Sequence, residues 1–166
     1  MARTLIKRKA NQFDTISAMR KYALIGSRNP FFNEFIRQNG ISPTLSGVRK
    51  VSQYIFDNVT FKKDNPRKQQ IRYGTKALRD GIGNCVDYSV LLSEFLINLR
   101  IPHSFIMVAT NKNEPANYNH IFVVLDEYNL PVDLVIGQDQ TGKGNKKEMK
   151  IFQSVPYYKS QKLKVI

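Results

Sequence analysis

The sequence predicts an α+β fold, with helices first and a small antiparallel sheet after them. Two observations carry this. Up to residue 99 the apolar residues recur at three- and four-residue steps, the period of an α-helix. After "RIP" (residues 100–102) the pattern changes to short β-branched and aromatic runs bounded by turn residues, as strands require. Helices followed by strands, rather than alternating with them, argue for segregated helical and sheet layers.

Residues 1–28 read as a basic arm containing a helix, with Phe13, Ile16, Met19, Tyr22 and Ala23 at helical spacing. Pro30 breaks it, and Phe31, Phe32, Phe35 and Ile36 form a short helix or a docking segment. "NGISPTLSG" is loop, with Ser46 the expected N-cap of a helix whose apolar stripe is Val48, Val51, Tyr54, Ile55 and Val59. "FKKDNPRKQQIRYG" is a polar connection, and "TKALRDGIG" a short helix ending at Gly81. The central helix runs from about 84 to 99. Tyr88, Leu91, Leu92, Phe95, Leu96 and Leu99 make its apolar face, and Asp87, Glu94 and Asn98 its polar side. Pro102 ends it, because proline disfavours helix at the residue before it.

Three strands follow: "HSFIMVAT", "HIFVVLDE" and "LPVDLVIG". The turn-rich "DEYN" joins the second and third as a hairpin. "QDQTGKGNKKEM" is loop, "KIFQSV" a last strand, and the remainder a basic tail. The chain therefore divides into an N-terminal arm with short helices (1–45), a core (46–137) and a C-terminal loop, strand and tail (138–166).

The chain has 166 residues, enough to bury a sizeable core without a staple. One cysteine cannot form an internal disulfide, which fits a reducing compartment such as the cytoplasm. No apolar run approaches the ~18 residues of a membrane span, and the N-terminus shows no secretory signal. The net charge of +13 is concentrated at the ends. Residues 1–28 carry seven basic groups against Asp14 alone, and residues 138–166 carry seven lysines against Asp139 and Glu148. Basic ends on a balanced core suggest an acidic partner or nucleic acid, the plain alternative being solubility.

The lone cysteine lies in "GIGNCVDYSVLLSEFL", residues 81–96. A cysteine in the first helical turn faces unsatisfied backbone N–H groups and the positive end of the helix dipole, and both favour thiolate, the nucleophile. Asp87 opposes this with a nearby negative charge. A cysteine in an apolar helix can equally be a packing residue. A nucleophile needs a base. His120 opens the second strand, and pairing around DEYN puts 120 opposite 133, 122 opposite 131 and 124 opposite 129. Opposite residues share a face with Cβ atoms ~5 Å apart, so Asp133 can fix the His120 tautomer and stabilise its charged form. His103, directly after Pro102, is the competing base but has no carboxylate at a matching offset.

At these residues the chain resembles the transglutaminase-like superfamily of papain-fold cysteine enzymes. The motifs are "ALRDGIGNCVDYSVLLSEFL", "LRIPHSFIMVA", "NHIFVVL" and "PVDLVIG", between about Val48 and Ile136. The resemblance implies a papain/transglutaminase-like fold, with Cys85 on a central helix packed against a small antiparallel sheet. It matches Cys85 to the nucleophile, His120 to the base and Asp133 to the orienting acid. The backbone N–H of Cys85 would be one oxyanion donor, and Gln69, Gln70 and Tyr73 are candidates for the second. Phe122 and Leu130 stand where the family often has tryptophan, and Arg100 where glycine is usual. No metal or cofactor is implied.

The expected activity is thiol-dependent acyl transfer through a thioester, as a peptidase or amidase if water is the acceptor and a transglutaminase if an amine is. The substrate would be a protein or peptide. The rival expectation is a structural or interaction subunit of a larger assembly, such as a phage virion, that keeps the fold and uses its basic ends to hold nucleic acid or neighbouring subunits. In that case the protein would be virion-associated. No recognisable nucleic-acid motif is visible in the core.

Overall fold

The computed structural model describes residues 4–7, 12–63, 68–138 and 146–166, with backbone alone at 4–7, 12, 68 and 69. Among the described residues, five helices surround or form the core: α1 (Gln12–Gly26), α2 (Pro30–Gln38), α3 (Leu45–Asn58), α4 (Gly74–Asp80) and α5 (Cys85–Asn98). The strands are β1 (Thr4–Lys7), β2 (Thr60–Phe61), β3 (Lys68–Ile71), β4 (Ile82–Gly83), β5 (His103–Ala109), β6 (His120–Leu125), β7 (Leu130–Val132) and β8 (Lys159–Lys164). The main sheet is antiparallel in the order β7-β6-β5-β8. This is the α+β, papain/transglutaminase-like arrangement, with helices on one side of α5 and the sheet on the other.

The helix starts follow from local chemistry. Asn29 accepts from the Phe31 N–H at 2.9 Å and Pro30 takes N1, where its missing N–H costs nothing. α3 begins two residues earlier than expected: Thr44, not Ser46, is its N-cap and accepts from the Gly47 N–H. The aromatic run of α2 is core rather than a docking segment. Phe32 is fully buried, and Phe31, Phe32, Phe35 and Tyr54 surround the Phe95 ring of α5 at centroid distances of 4.9–6.3 Å. Each such fully buried ring is worth about 1.5–3 kcal/mol of transfer free energy. α1 joins the same core through Ile16, Met19 and Ala23, and packs on α5.

α5 is enclosed on every side. Val86 through Leu96 are all buried, including Asp87 and Glu94 at 0% exposure. The polar side expected from these two acids is therefore absent, because neighbouring segments supply their partners. On the sheet, Phe105, Met107, Ile121, Val123 and Val132 face α5, while Ile106, Val108, Phe122 and Val124 cluster on the other face. That is the period-two alternation of strand geometry.

Three strand expectations change. The polar connection holds β3, antiparallel to β1. The last strand is β8 rather than residues 150–155: the lysines of "KSQKLK" line a sheet edge, where charge is tolerated. The hairpin register differs by two, with Val123 opposite Val132 and Leu125 opposite Leu130. The turn takes up all of 126–129 because Asn129 adopts a left-handed φ of 51°, which asparagine accepts readily. No helix among the described residues is long and apolar enough to cross a membrane.

Candidate active site

Cys85 occupies N1 of α5. Asn84 caps the helix, its side chain accepting from the Asp87 N–H at 3.1 Å, while the Asp87 carboxylate accepts from the Asn84 N–H at 3.1 Å. This reciprocal box fixes the first turn and leaves the Cys85 N–H among those that helix geometry gives no intrahelical acceptor. Asp87 is not a bare charge. Its carboxylate accepts from the Arg72 N–H at 3.1 Å and is ion-paired with the Arg72 guanidinium. Tyr88 secures the same turn to α3, its hydroxyl donating to Val59 O at 2.8 Å.

His120 comes from the first position of β6 and Asp133 from the residue after β7. Continuing the observed register puts 133 opposite Phe122, so His120 and Asp133 are diagonal neighbours rather than direct partners. They still share a face, because a register change of two preserves parity and a change of one would not. His120 Nε2 lies 2.6 Å from Asp133 Oδ2. The carboxylate can only accept, so Nε2 carries the proton and Nδ1 is left for the thiol. Asp133 is itself held by the Val135 N–H on Oδ1 at 3.2 Å. Cys85 and His120 line one cleft, and the thiol is near enough to act on the imidazole charge. Burial pulls the His120 pKa down, but the hydrogen bonds and charges of Asp133 and Cys85 outweigh it and raise it to about 10.

A cleft of about 80 Å³ opens beside the pair, lined by Cys85, His120, Val86, Met107, Tyr118 and Thr15 among others. Thr15 lies on α1, so the N-terminal helix contributes a wall that sequence reasoning did not assign. On the far side, the segment after Asp133 is pinned to the end of α3: Gln138 and Lys146 both donate to the carbonyls of Phe56 and Val59.

The other expected site residues are placed as follows. The Tyr73 ring stacks on Tyr22 at 4.4 Å and 9°, next to Glu94. Glu94 is nine residues along α5 from Cys85, an axial separation of roughly 13 Å, so the Tyr73 ring faces another part of the molecule. Gln70 lies on β3 two residues before Arg72, which reaches the first turn of α5. The Gln69 side chain lies outside the described residues. His103, the competing base, is fully buried, with Nδ1 2.8 Å from Ile101 O and Nε2 2.7 Å from Ser93 Oγ. A carbonyl only accepts, so Nδ1 donates and Nε2 accepts from the serine hydroxyl. Burial lowers its pKa to about 4, which keeps it neutral. His103 is a satisfied core residue, and the Ser93 hydroxyl it meets is itself fully buried.

Arg72 is the residue the sequence did not reveal. It lies 15 positions from Asp87 in a segment rich in other basic residues, and only a pairing across elements distinguishes it.

The fold and site thus define a papain-like α+β protein with a thiol, an imidazole and a carboxylate gathered where the helix start meets the sheet. The family model of the transglutaminase-like superfamily matches residues 33–131, more than half of the chain, and the protein belongs to that superfamily. Among solved structures, the chain is similar to a "putative protease" from Parabacteroides distasonis ATCC 8503, at 14% identity and a TM-score of 0.52, over 81% of this chain and 30% of that one. It is also similar to a "putative cysteine protease" from Cytophaga hutchinsonii, at 13% identity and a TM-score of 0.49, over 98% of this chain and 62% of that one. The chain therefore spans less than two thirds of either structure's length. No curated protein matches the sequence.

Proposed function

We propose that this protein is a cysteine-dependent acyl-transfer enzyme, acting as a peptidase or amidase through a thioester. The observation that carries the reading is His120, hydrogen-bonded to Asp133, sharing the lining of one cleft with Cys85. In this mechanism the Cys85 thiolate attacks an amide carbonyl, and the tetrahedral oxyanion forms against the Cys85 N–H at the helix start. The protonated His120 gives its Nδ1 proton to the leaving amine, the C–N bond breaks, and a thioester remains. Water, deprotonated by Nδ1, then attacks the thioester, releasing the acid and the thiol. An amine in place of water would make the product a new amide. The name of the Parabacteroides structure makes hydrolysis the first outcome to assay. Gln70 is our candidate for the second oxyanion donor.

The test is the rate of Cys85 alkylation by iodoacetamide against pH, in the wild type and in His120→Ala. An unperturbed thiol titrates near ~8.5. We expect reaction to persist well below that, and His120→Ala to cut the rate at pH 6 by roughly 100-fold. A wild-type profile of ordinary midpoint, indifferent to His120, would sink the enzyme reading.

A second reading, an assembly subunit with an acidic partner, is favoured by the edge strand β8, whose Lys159, Lys162 and Lys164 are exposed beside Tyr157 and Tyr158. Because β8 pairs with β5 along its length, deleting the C-terminus would remove part of the sheet. Lys159→Glu is the cleaner probe. Loss of a partner with alkylation unchanged would support this reading.

A further inference from the structure

We propose that Arg72 is a positioning residue for the nucleophile: its guanidinium neutralises the buried Asp87 carboxylate that the helix cap needs but the Cys85 thiolate does not tolerate. The proposal rests on Cys85 being the nucleophile.

The start of α5 carries a conflict. The capping box requires an acceptor at N3, and Asp87 fills that role by binding the Asn84 N–H. The same carboxylate is fully buried, two residues from Cys85 in the first turn. A buried anion at that range disfavours a second anion on the thiol, by the reasoning that separates the proton affinities of paired carboxylates. Arg72 resolves it. Its backbone N–H and its guanidinium both donate to Asp87, and its side chain is only 6% exposed. The pair itself sums to zero charge, so the Asp87 carboxylate opposes the thiolate less than a bare anion would.

Among the described residues, the other charged groups nearby do not substitute for Arg72. Asp80 of α4 approaches Arg72 Nε at 4.0 Å but is bound by Lys76 at 3.1 Å. Tyr88 is held as the neutral phenol by burial and by Asp87. Lys62, whose N–H binds Gly83 O near the helix start, is exposed. His120 and Asp133 approach Cys85 from the sheet. Among the described residues, Arg72 is thus a cation that contacts Asp87 directly and from a buried position.

The experiment is the pH profile of Cys85 alkylation by iodoacetamide in Arg72→Gln, Arg72→Lys, Asp87→Asn and the double variant Arg72→Gln/Asp87→Asn, each with its melting temperature. Arg72→Gln should raise the midpoint of the profile by roughly one pH unit, and Asp87→Asn should lower it. The double variant should return to within a few tenths of a unit of the wild type, and Arg72→Lys should fall between wild type and Arg72→Gln. A purely structural Arg72 would give lower melting temperatures with an unmoved midpoint, and that would overturn the proposal. So would a double variant displaced as far as Arg72→Gln. If Arg72→Gln fails to fold, Asp87→Asn still decides, since an unchanged or raised midpoint contradicts the charge argument. Failure of the enzyme reading looks different: the wild-type profile itself would then be ordinary and indifferent to His120.

Discussion

His103 and His120 open neighbouring antiparallel strands, and both are taken largely out of water, yet their protons are held in opposite ways. His103 meets a carbonyl and a hydroxyl, groups that bind the neutral ring, and burial then lowers its pKa to about 4. His120 suffers the same penalty, but a carboxylate at 2.6 Å and the Cys85 thiol overcome it, raising its pKa to about 10. Burial alone therefore makes a histidine inert. Only a partner that gains from the imidazolium makes it useful for acid–base chemistry, and the fold places that partner at one histidine and not the other.

The largest expected effect tests that partner. Asp133→Asn keeps the shape and removes the charge. It should bring the His120 midpoint down from about 10, read by NMR of the ring protons, and slow Cys85 alkylation at pH 6 by at least about tenfold. An unchanged His120 midpoint would mean that the carboxylate does not set its proton.

Next in size is the opposite dissociation. His103→Ala should cost about 3 kcal/mol of folding stability in urea denaturation, because it opens a cavity and strands the Ser93 hydroxyl and Ile101 carbonyl. The alkylation profile of Cys85 should not move. Loss of reactivity in a still-folded His103→Ala would erase the distinction between the two rings.

The same contrast predicts two slopes of stability against pH. His103 has a lowered pKa, so the unfolded chain binds its proton first. Its contribution is present above ~6.5, the unfolded value, and is lost as pH falls from there towards about 4, by an amount of order 3 kcal/mol. His120 has a raised pKa, so its contribution is fully present below ~6.5 and is lost as pH rises through about 10. Urea midpoints measured across both windows in His103→Ala and His120→Ala should each lose one slope and keep the other.

Much of this contrast was open to sequence reasoning, for a physical reason. A hairpin fixes which residues share a face by parity, so His120 and Asp133 could be paired even though the turn consumed two residues differently from the expectation. The Cys85 helix was equally plain, since Tyr88, Leu91, Leu92, Phe95, Leu96 and Leu99 recur at three- and four-residue steps. Charges satisfied across elements were not legible. Asp87 and Glu94 read as a solvated helix face because their partners, Arg72 and Gly74, lie 15 and 20 positions away. β8 read as tail because an edge strand carrying lysines lacks the apolar alternation of an interior one.

Glu94 supplies the smallest effect and extends the comparison from imidazoles to carboxyls. It lies on the same helix as Asp87 and is equally buried, but no cation among the described residues pairs with it. Its Oε1 accepts from the Gly74 N–H at 2.7 Å, and the carboxyl rests against Gly26 and Gly74, where a Cβ would come within 2.6 Å of Oε2 and 2.9 Å of Oε1. Burial raises its pKa well above the usual carboxylate range, only partly opposed by the Gly74 bond, so the folded protein holds a proton that the unfolded chain releases above ~4.5. Stability should therefore decline as pH rises from ~4.5, earlier than the His120 slope begins. Glu94→Gln keeps the Gly74 bond and removes the ionisation, while placing an amide in the tight space by Gly26. These terms oppose each other, so the net change at pH 5 should be within about 1 kcal/mol. The variant should then gain on the wild type as pH rises. If the two denaturation curves stay parallel from pH 5 to 9, Glu94 holds no proton in the folded state, and the rule drawn from the histidines, that a buried group without a charged partner goes neutral, fails on this helix.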